Sequence, residues 1–269
     1  MKRNMTGFFK YAFLIVVSLF SIFPLYWMAV SSTNSSLSVI RGSLLPGTEF
    51  VTNYNNLIAN QHLWQAMRNS FVNAVSQTAL ALLICSIAGY AFEIFHDKLK
   101  DTVMNILLLA MMIPFAATMI PLFQLFSSMK LASKTIAVIL PVISTPFLIM
   151  LFRQSARSFP HDILEAARID GLGELRIFFQ MFVPTMRSTY AAAMTIVFMN
   201  AWNSYLWPKV ILFSPDSITM PMLVSNLIQG YVTDYGMLML AVFICTLPTI
   251  IIFFFLQKSF AEGIVGAIK

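Results

Sequence analysis

The hydropathy pattern of the chain consists of long apolar stretches separated by short polar segments. A helix that crosses about 30 Å of hydrocarbon needs about 20 apolar residues, because each residue rises about 1.5 Å. Six stretches reach or approach that length, and each predicts one membrane-spanning helix: Phe8–Val30, Ser70–Phe92, Thr102–Phe123, Thr135–Phe152, Thr189–Ile211 and Gly236–Gln257. Prolines within or at the ends of these stretches predict kinked helices, because proline lacks a backbone donor.

The composition supports the same class of protein. Of the 269 residues, 58% are hydrophobic and 10% are charged, whereas soluble proteins are about 45–50% apolar and about 25% charged. So few charged side chains cannot cover the surface of a water-soluble domain. Cys85 and Cys245 lie within apolar stretches and are interpreted as small buried residues. The prediction is therefore an all-α integral membrane protein with six transmembrane helices.

The distribution of basic residues predicts the orientation. If the N-terminus is cytoplasmic, twelve of the 17 Lys and Arg residues fall in inner segments and five in outer segments. Because basic residues are concentrated in cytoplasmic loops, both termini are predicted to be cytoplasmic. The first apolar stretch is longer than the core of a signal peptide, which has about 7–15 residues, and we expect it to be retained. The predicted location is a cell membrane, crossed several times.

Several chemistries find no support in the sequence. The interiors of the six stretches carry no Asp, Lys, Arg or His, although proton-coupled carriers and pumps usually place ionisable groups there. No G-x-x-x-x-G-K-[ST] pattern is present, so the chain is not expected to bind ATP as a P-loop protein. The basic residues form no single patch for nucleic acid, and no His and Cys spacing indicates a metal site. We predict no cofactor, no catalytic residue and no metal ligand on this chain.

The polar segment between the fourth and fifth stretches, residues 153–187, is called the elbow below. It carries five Arg, two Glu and two Asp. A helix capped by Ser158 is predicted there, with a break at Asp170-Gly171-Leu172-Gly173, where glycine permits the left-handed conformation. A second short helix, Glu174 to Phe182, is predicted to end at Pro184. From the residues alone, this hairpin either only connects two spans at the membrane surface or docks a partner.

Five residues of the elbow form a pattern similar to the EAA motif of ABC importer permeases, E-A-A-x3-G-x9-I-x-L-P: Glu165, Ala166, Ala167, Gly171 and Pro184. Asp170 before the glycine matches the D-G form that is common in sugar importers. Met181 and Val183 occupy the positions of the family's Ile and Leu, and both remain apolar. The motif precedes the last two spans, as it does in that family.

Other segments extend the resemblance over almost the whole chain. They are Gly89-Tyr90-Ala91-Phe92, Ile113-Pro114, Ile120-Pro121-Leu122, Trp202-Asn203 with Pro208, and the ending from Leu256 to Lys269. Together they resemble the six-span, maltose-permease-like partner of maltose and multiple-sugar importers. One departure is the second inner loop, where Glu93 and Asp97 dilute a segment that is usually more basic.

The resemblance implies a type I ABC importer permease with a MetI-like core. It implies an N-terminal helix and external loop in residues 1–69, the core in residues 70–258 and a cytoplasmic tail in residues 259–269. The implied partners are a second permease chain, two ATPase subunits that bind ATP and Mg, an external sugar-binding protein, the sugar and membrane lipid. The chain itself would be a transport subunit of a bacterial membrane and not an enzyme.

The resemblance also assigns roles to residues. Glu165 would form an ion pair with the ATPase, small Ala166, Ala167 and Gly171 would allow close seating, and Asp170 would support the turn. Gly263, Gly266 and Lys269 of the tail would form a second ATPase contact. The outer segment 213–235 would either enter the binding protein or only cap the last two spans.

The path of the sugar is less marked in the sequence. The fifth stretch offers Asn200, Trp202, Asn203 and Tyr205, but helical spacing cannot place all four on one face. Packing or hydrogen bonding between helices is the favoured interpretation for each of them. Two other functions stay open: a secondary solute carrier, and a membrane anchor subunit of an unrelated complex.

Overall fold

The computed structural model of the chain describes the backbone of residues 2–229 and 233–266, and the side chains of residues 9–229 and 233–257. These residues form helices and loops, and no β-strand occurs among them. The helices are α1 (Lys2–Ser31), α2 (Ser36–Ile40), α3 (Phe50–Asn60), α4 (Leu63–Ile94), α5 (Lys98–Ala110), α6 (Phe115–Ser128), α7 (Thr135–Ile139), α8 (Pro146–Arg157), α9 (His161–Ile169), α10 (Glu174–Ile177), α11 (Val183–Thr185), α12 (Arg187–Trp202), α13 (Leu206–Ile211), α14 (Met220–Ile228) and α15 (Tyr235–Gly266). The predicted all-helical class is confirmed.

Three segments are long and apolar enough to cross a membrane as single helices. They are Phe9–Ser31, Leu63–Ile94 and Tyr235–Gln257. They correspond to the first, second and sixth predicted spans. The second is longer than predicted because α4 begins with polar turns that precede its apolar stretch.

The third and fourth predicted spans are each built from two helices that meet at a bend. The angle between α5 and α6 is 102°, and the angle between Thr135–Val142 and α8 is 46°. Pro114 directly precedes α6, and Pro146 is the first residue of α8. Proline cannot donate to the preceding turn and its ring crowds that turn. The bend at Pro114 is larger than a kink because residues 111–114 leave the helix altogether.

The fifth predicted span, Thr189–Ile211, is divided in the structure. The helix α12 ends at Trp202 after 16 residues, and α13 is a separate helix of 6 residues. Residues 203–205 between them are not helical. Length and composition therefore identify up to 5 spans in the described part of the chain, and the sixth stays a prediction at this segment.

One compact unit combines most of residues 1–64 with Leu223–Pro248. In this unit, buried amide side chains hold the loop that follows α1. A buried polar group needs a hydrogen-bond partner, and the backbone of the loop supplies it. The Nδ2 atom of Asn53 donates to the carbonyl oxygens of Ser32 and Asn34, both at 3.0 Å. A Cβ atom on Gly236 would lie 2.5 Å from the Asn34 carbonyl oxygen, so the start of α15 approaches this loop closely.

Residues 65–222 form most of a second compact unit, which contains the elbow. Its central core cluster is formed by apolar residues of α4, α5, α8 and α12. The helices α4 and α8 touch at Gly89, where a Cβ atom would lie 2.7 Å from the backbone nitrogen of Arg153 and 2.8 Å from the carbonyl oxygen of Ile149. Backbone atoms cannot move aside cheaply, so this crossing requires glycine.

Candidate functional site

The elbow begins with a helix whose start differs from the prediction. The helix α9 follows Pro160, and no side chain caps it. The Ser158 hydroxyl instead donates to the carbonyl oxygen of Ser155 at 2.7 Å. The predicted cap at Ser158 is therefore wrong, because α8 extends to Arg157 and Ser158 is its C-terminal flanking residue.

The end of α9 is fixed by a glycine turn. Gly171 has a φ of 80°, its N–H donates to the carbonyl oxygen of Arg168, and the N–H of Leu172 donates to that of Ala167, both at 3.0 Å. These two bonds form a Schellman motif. A side chain in this left-handed conformation costs about 1–2 kcal/mol, although a Cβ atom on Gly171 would meet nothing within 4 Å. The backbone conformation requires glycine here, and the surrounding space does not.

The helix α9 has one buried and one exposed face. Leu164 and Ala167 are buried in a core cluster of the same chain. Glu165, Ala166 and Ile169 are exposed, and 86% of Ile169 is accessible. The sequence predicts that Ala166 and Ala167 both lie close to another surface. Of these two alanines, only Ala166 is exposed for such a contact, because Ala167 is covered by its own chain.

The second arm of the elbow passes a proline without ending. The helix α10 continues as one π-helical turn, Phe178–Phe182, and the N–H of Val183 donates to the carbonyl oxygen of Phe178. Pro184 follows at an exposed position. In a regular α-helix its ring would clash with the carbonyl oxygen four residues earlier. The wider π turn relieves this clash, so the arm extends to Thr185 and the predicted end at Pro184 is displaced.

Tyr90 of α4 joins both arms of the elbow to the helix bundle. Its ring centroid lies 5.4 Å from that of Phe178 and 5.0 Å from that of Phe182, with both pairs edge to face. Its hydroxyl donates to Oε2 of Glu174 at 3.3 Å, and Nε of Arg168 donates to Oε1 at 2.7 Å. This last bond raises the pKa of Arg168 above its usual value. Glu174 therefore connects α9, α10 and α4.

An ion-pair network lies where the elbow leaves α8. The side chain of Arg153 is 9% exposed; its Nε atom donates to Oε2 of Glu93 at 3.1 Å and its Nη2 atom to Oδ1 of Asp101 at 2.6 Å. Arg157 donates to the same oxygen of Glu93 at 3.2 Å. Buried charge is stable only when it is paired. Glu93, one of the two acidic residues that depart from the family pattern, is thus a partner of Arg153, and the sequence pattern did not indicate this pairing.

The other predicted contacts are only partly described. Gly263 and Gly266 lie in the backbone of the last turns of α15, and Lys269 lies outside the described residues. The ATPase contact of the tail therefore stays a prediction.

Among the described residues, no group of three or more His, Cys, Asp or Glu side chains could hold a metal ion.

The four predicted substrate-path residues do not meet in one place. Asn200 lines a cavity of about 240 Å³. Trp202 is buried and stacks on Phe198 with ring centroids 5.9 Å apart. The Asn203 amide donates to the carbonyl oxygen of Met199 at 2.9 Å. Tyr205 packs against a core cluster that contains Phe126 and Trp207. The cavity is also lined by Gln77 of α4, which the sequence analysis missed.

Comparisons with known proteins agree with this architecture. The family described as "Binding-protein-dependent transport system inner membrane component" matches residues 81–265. The lactose transport system permease protein LacG of Rhizobium radiobacter is 42% identical over 269 residues, which is 100% of this chain and 98% of that protein. The arabinooligosaccharides transport system permease protein AraQ of Bacillus subtilis (strain 168) is 33% identical over 263 residues, covering 96% of this chain and 94% of that protein.

A solved structure has the same fold. One chain of the crystal structure of a bacterial ABC transporter involved in the import of the acidic polysaccharide alginate superposes with a TM-score of 0.83. The match covers 96% of this chain and 97% of that chain at 20% sequence identity.

Proposed function

Because the chain belongs to the family of binding-protein-dependent transport system inner membrane components, we propose that it is the permease subunit of an ATP-driven sugar importer. Its relatives include permeases named for lactose and for arabinooligosaccharides. A neutral carbohydrate also suits a bundle whose predicted spans carry no Asp, Lys, Arg or His in their interiors. The chain supplies part of the membrane pathway and, with a second permease chain, encloses it.

The elbow is the coupling element, and its shape carries this proposal. The Schellman turn at Gly171 fixes the angle between α9 and α10, and Glu174 and Tyr90 brace both arms against α4. The exposed residues of α9 include two carboxylates, Asp162 in the first turn and Glu165, and apolar Ile169 at its end. An ATPase subunit with a basic group and an apolar cleft matches this face. Closure of two such subunits with ATP and Mg would then move the braced helices.

The remaining partners follow from the same function. An external binding protein delivers the sugar to the side opposite the elbow, and the excess of basic residues on the elbow side supports a cytoplasmic location for it and for both termini. Gly263, Gly266 and Lys269 of the tail form the second ATPase contact. ATP hydrolysis belongs to the partner chains, so this chain has no catalytic residue.

The test compares two substitutions at one position in the complete importer. In Gly171→Val the side chain opposes the left-handed turn, and a strain of about 1–2 kcal/mol corresponds to a roughly 5- to 30-fold smaller population of the correct turn. We expect ATP hydrolysis stimulated by binding protein and sugar to fall by that factor. Gly171→Asn is the matched control, because asparagine tolerates the left-handed conformation.

A second control separates strain from bulk. Gly173 has an ordinary φ of −74° and, like Gly171, open space around its Cβ position. We expect Gly173→Ser to retain stimulated hydrolysis, since serine suits the residue before a helix. Equal activity of Gly171→Val, Gly171→Asn and the unmodified complex would contradict the coupling role of the turn.

A further inference from the structure

A cavity of about 240 Å³ lies among α4, α8 and α12 in the second compact unit. Its walls are mostly apolar, and Phe147 forms part of them. Four residues with polar side chains also line it: Gln77, Thr145, Asn200 and Ser204. None of them is ionisable, so the cavity suits a neutral ligand with hydrogen-bonding groups.

The cavity lies where two helical segments are interrupted. Thr145 stands between the turn that ends at Val142 and the first residue of α8, Pro146. Ser204 stands between α12 and α13. Within a bilayer, non-helical backbone is tolerated only where protein or a water-filled cavity satisfies its polar groups, and substrate sites of transporters are commonly formed by such discontinuous helices. The two breaks therefore indicate an aqueous site at this point.

Gln77 supplies an independent observation. The residue is 3% exposed and lines the cavity. One helical turn earlier, the buried Oδ1 atom of Asn73 has no hydrogen-bond partner among the described residues. Most buried polar groups in proteins are paired, and a group that is not needs an explanation. A ligand or water in the cavity can pair with the amide of Gln77, which lines it.

We propose that this cavity is a subsite in which this subunit binds the hydroxyl groups of one sugar ring during transport. The amides of Gln77 and Asn200 both donate and accept hydrogen bonds, as sugar hydroxyls require, and Phe147 provides an apolar face for the ring. Pockets for whole drug-sized ligands span about 300–1,000 Å³, so this smaller cavity holds one ring while the rest of the sugar faces the second permease chain. The subsite rests on the proposed sugar-importer function.

The experiment uses the complete importer in proteoliposomes with its binding protein at saturation. The probes are radiolabelled lactose, arabinotriose and sn-glycerol 3-phosphate. Gln77→Met and Asn200→Leu keep the size of the side chain and remove its hydrogen bonds. For each variant we expect transport of the carried sugar to fall about tenfold, which is the effect of one lost hydrogen bond to the ligand. Stimulated ATP hydrolysis should stay within about twofold of the unmodified complex, because the elbow is unchanged.

Thr78→Val is the matched control. Thr78 neighbours Gln77 in α4 and is buried, but its hydroxyl donates to the Ala74 carbonyl oxygen of its own helix at 2.6 Å and it does not line the cavity. We expect this variant to transport sugar at the unmodified rate. If Thr78→Val lost as much transport as Gln77→Met, the effect would belong to any polar group in α4. That result would overturn the subsite.

The other outcomes are equally decisive. Unchanged transport in both Gln77→Met and Asn200→Leu overturns the proposal. A parallel fall of transport and stimulated hydrolysis also overturns it, since both residues would then hold the helices and not the sugar. If the unmodified complex transports only sn-glycerol 3-phosphate, both the sugar assignment and the neutral subsite are overturned. If it transports a sugar, the proposed function stands independently of the results for the variants.

Discussion

The Nε atom of Arg168 lies 2.7 Å from the Oε1 atom of Glu174, across the glycine turn of the elbow. The other oxygen of the same carboxylate accepts the hydroxyl of Tyr90 in α4. The guanidinium of Arg168 also lies 6.0 Å from the ring centroid of Phe95, beyond the end of α4. We therefore expect the elbow and the end of α4 to move together.

The link between Tyr90 and Glu174 can be measured by a double-mutant cycle. A hydrogen bond to a charged group contributes about 1.5–3 kcal/mol, and we expect the lower part of this range because the two atoms are 3.3 Å apart. Chemical unfolding of Tyr90→Phe, Glu174→Ala and the double variant should give a coupling energy of about 1 kcal/mol or more. Glu174→Ala combined with Tyr26→Phe, whose hydroxyl bonds the Leu44 carbonyl, should be additive. Additive effects of Tyr90→Phe and Glu174→Ala would contradict a stabilising hydrogen bond between α4 and the elbow.

The crossing of α4 and α8 predicts a strong effect from one methyl group. In Gly89→Ala the added carbon would meet backbone atoms of Arg153 and Ile149 at less than 3 Å. Overpacking of this kind costs about 1–3 kcal/mol, and we expect the thermal midpoint of the purified complex to fall. Gly173→Ala adds the same methyl group in open space and should leave the midpoint unchanged. Equal midpoints for the two variants would disprove the close crossing.

The ion-pair network predicts different effects for two neighbouring carboxylates. Loss of one partner from a buried pair costs about 3–5 kcal/mol, and we expect about 2 kcal/mol for Glu93→Ala because Asp101 still pairs with Arg153. Asp97 is half exposed and bonds to nearby Lys100 of its own segment, so Asp97→Ala should cost less. The free energy of unfolding in detergent distinguishes the two variants. A larger loss in Asp97→Ala would refute the role assigned to Glu93.

The exposed isoleucine of the elbow predicts a change in assembly without a change in folding. Full burial of an isoleucine side chain stabilises a complex by about 1.5–3 kcal/mol, so Ile169→Ser should weaken ATPase association about tenfold or more. The thermal midpoint of the permease itself should not change, since Ile169 is exposed in it. Leu45→Ser removes another strongly exposed apolar side chain, 75% accessible, from a loop elsewhere and should leave association intact. The test is titration of ATPase subunit onto immobilised permease, and equal affinities would exclude docking through this face.

The segment near Asp216 is tied to the start of α4. The amide of Asn69 donates to the carbonyl oxygens of Asp216 at 2.7 Å and Ile218 at 3.0 Å. Each bond contributes about 0.5–1.5 kcal/mol, so Asn69→Ala should increase hydrogen exchange at residues 214–219. Asn60→Ala removes an amide that bonds the Asn56 carbonyl oxygen of its own helix and should have no effect there. Unchanged exchange in Asn69→Ala would mean that other contacts hold the segment.

The sequence determined the features that depend on neighbouring residues. Apolar stretches of membrane length predict α1, α4 and α15, since burial of such a stretch depends on its own composition. Asp170-Gly171 predicts the turn of the elbow because glycine adopts a φ of 80° with no steric cost from a Cβ atom. The spacing from Glu165 to Pro184 indicated the family, which the comparisons confirm.

Only the tertiary structure decided which residues meet. The burial of Ala167, the pairing of Arg153 with Glu93 and the cavity between Gln77 and Asn200 each join segments that are far apart in the chain. Local periodicity gives the face on which a residue lies, but the packing of bent helices decides what that face meets. The breaks at Thr145 and Ser204 made those contacts unpredictable, because a break changes the direction of every residue that follows it.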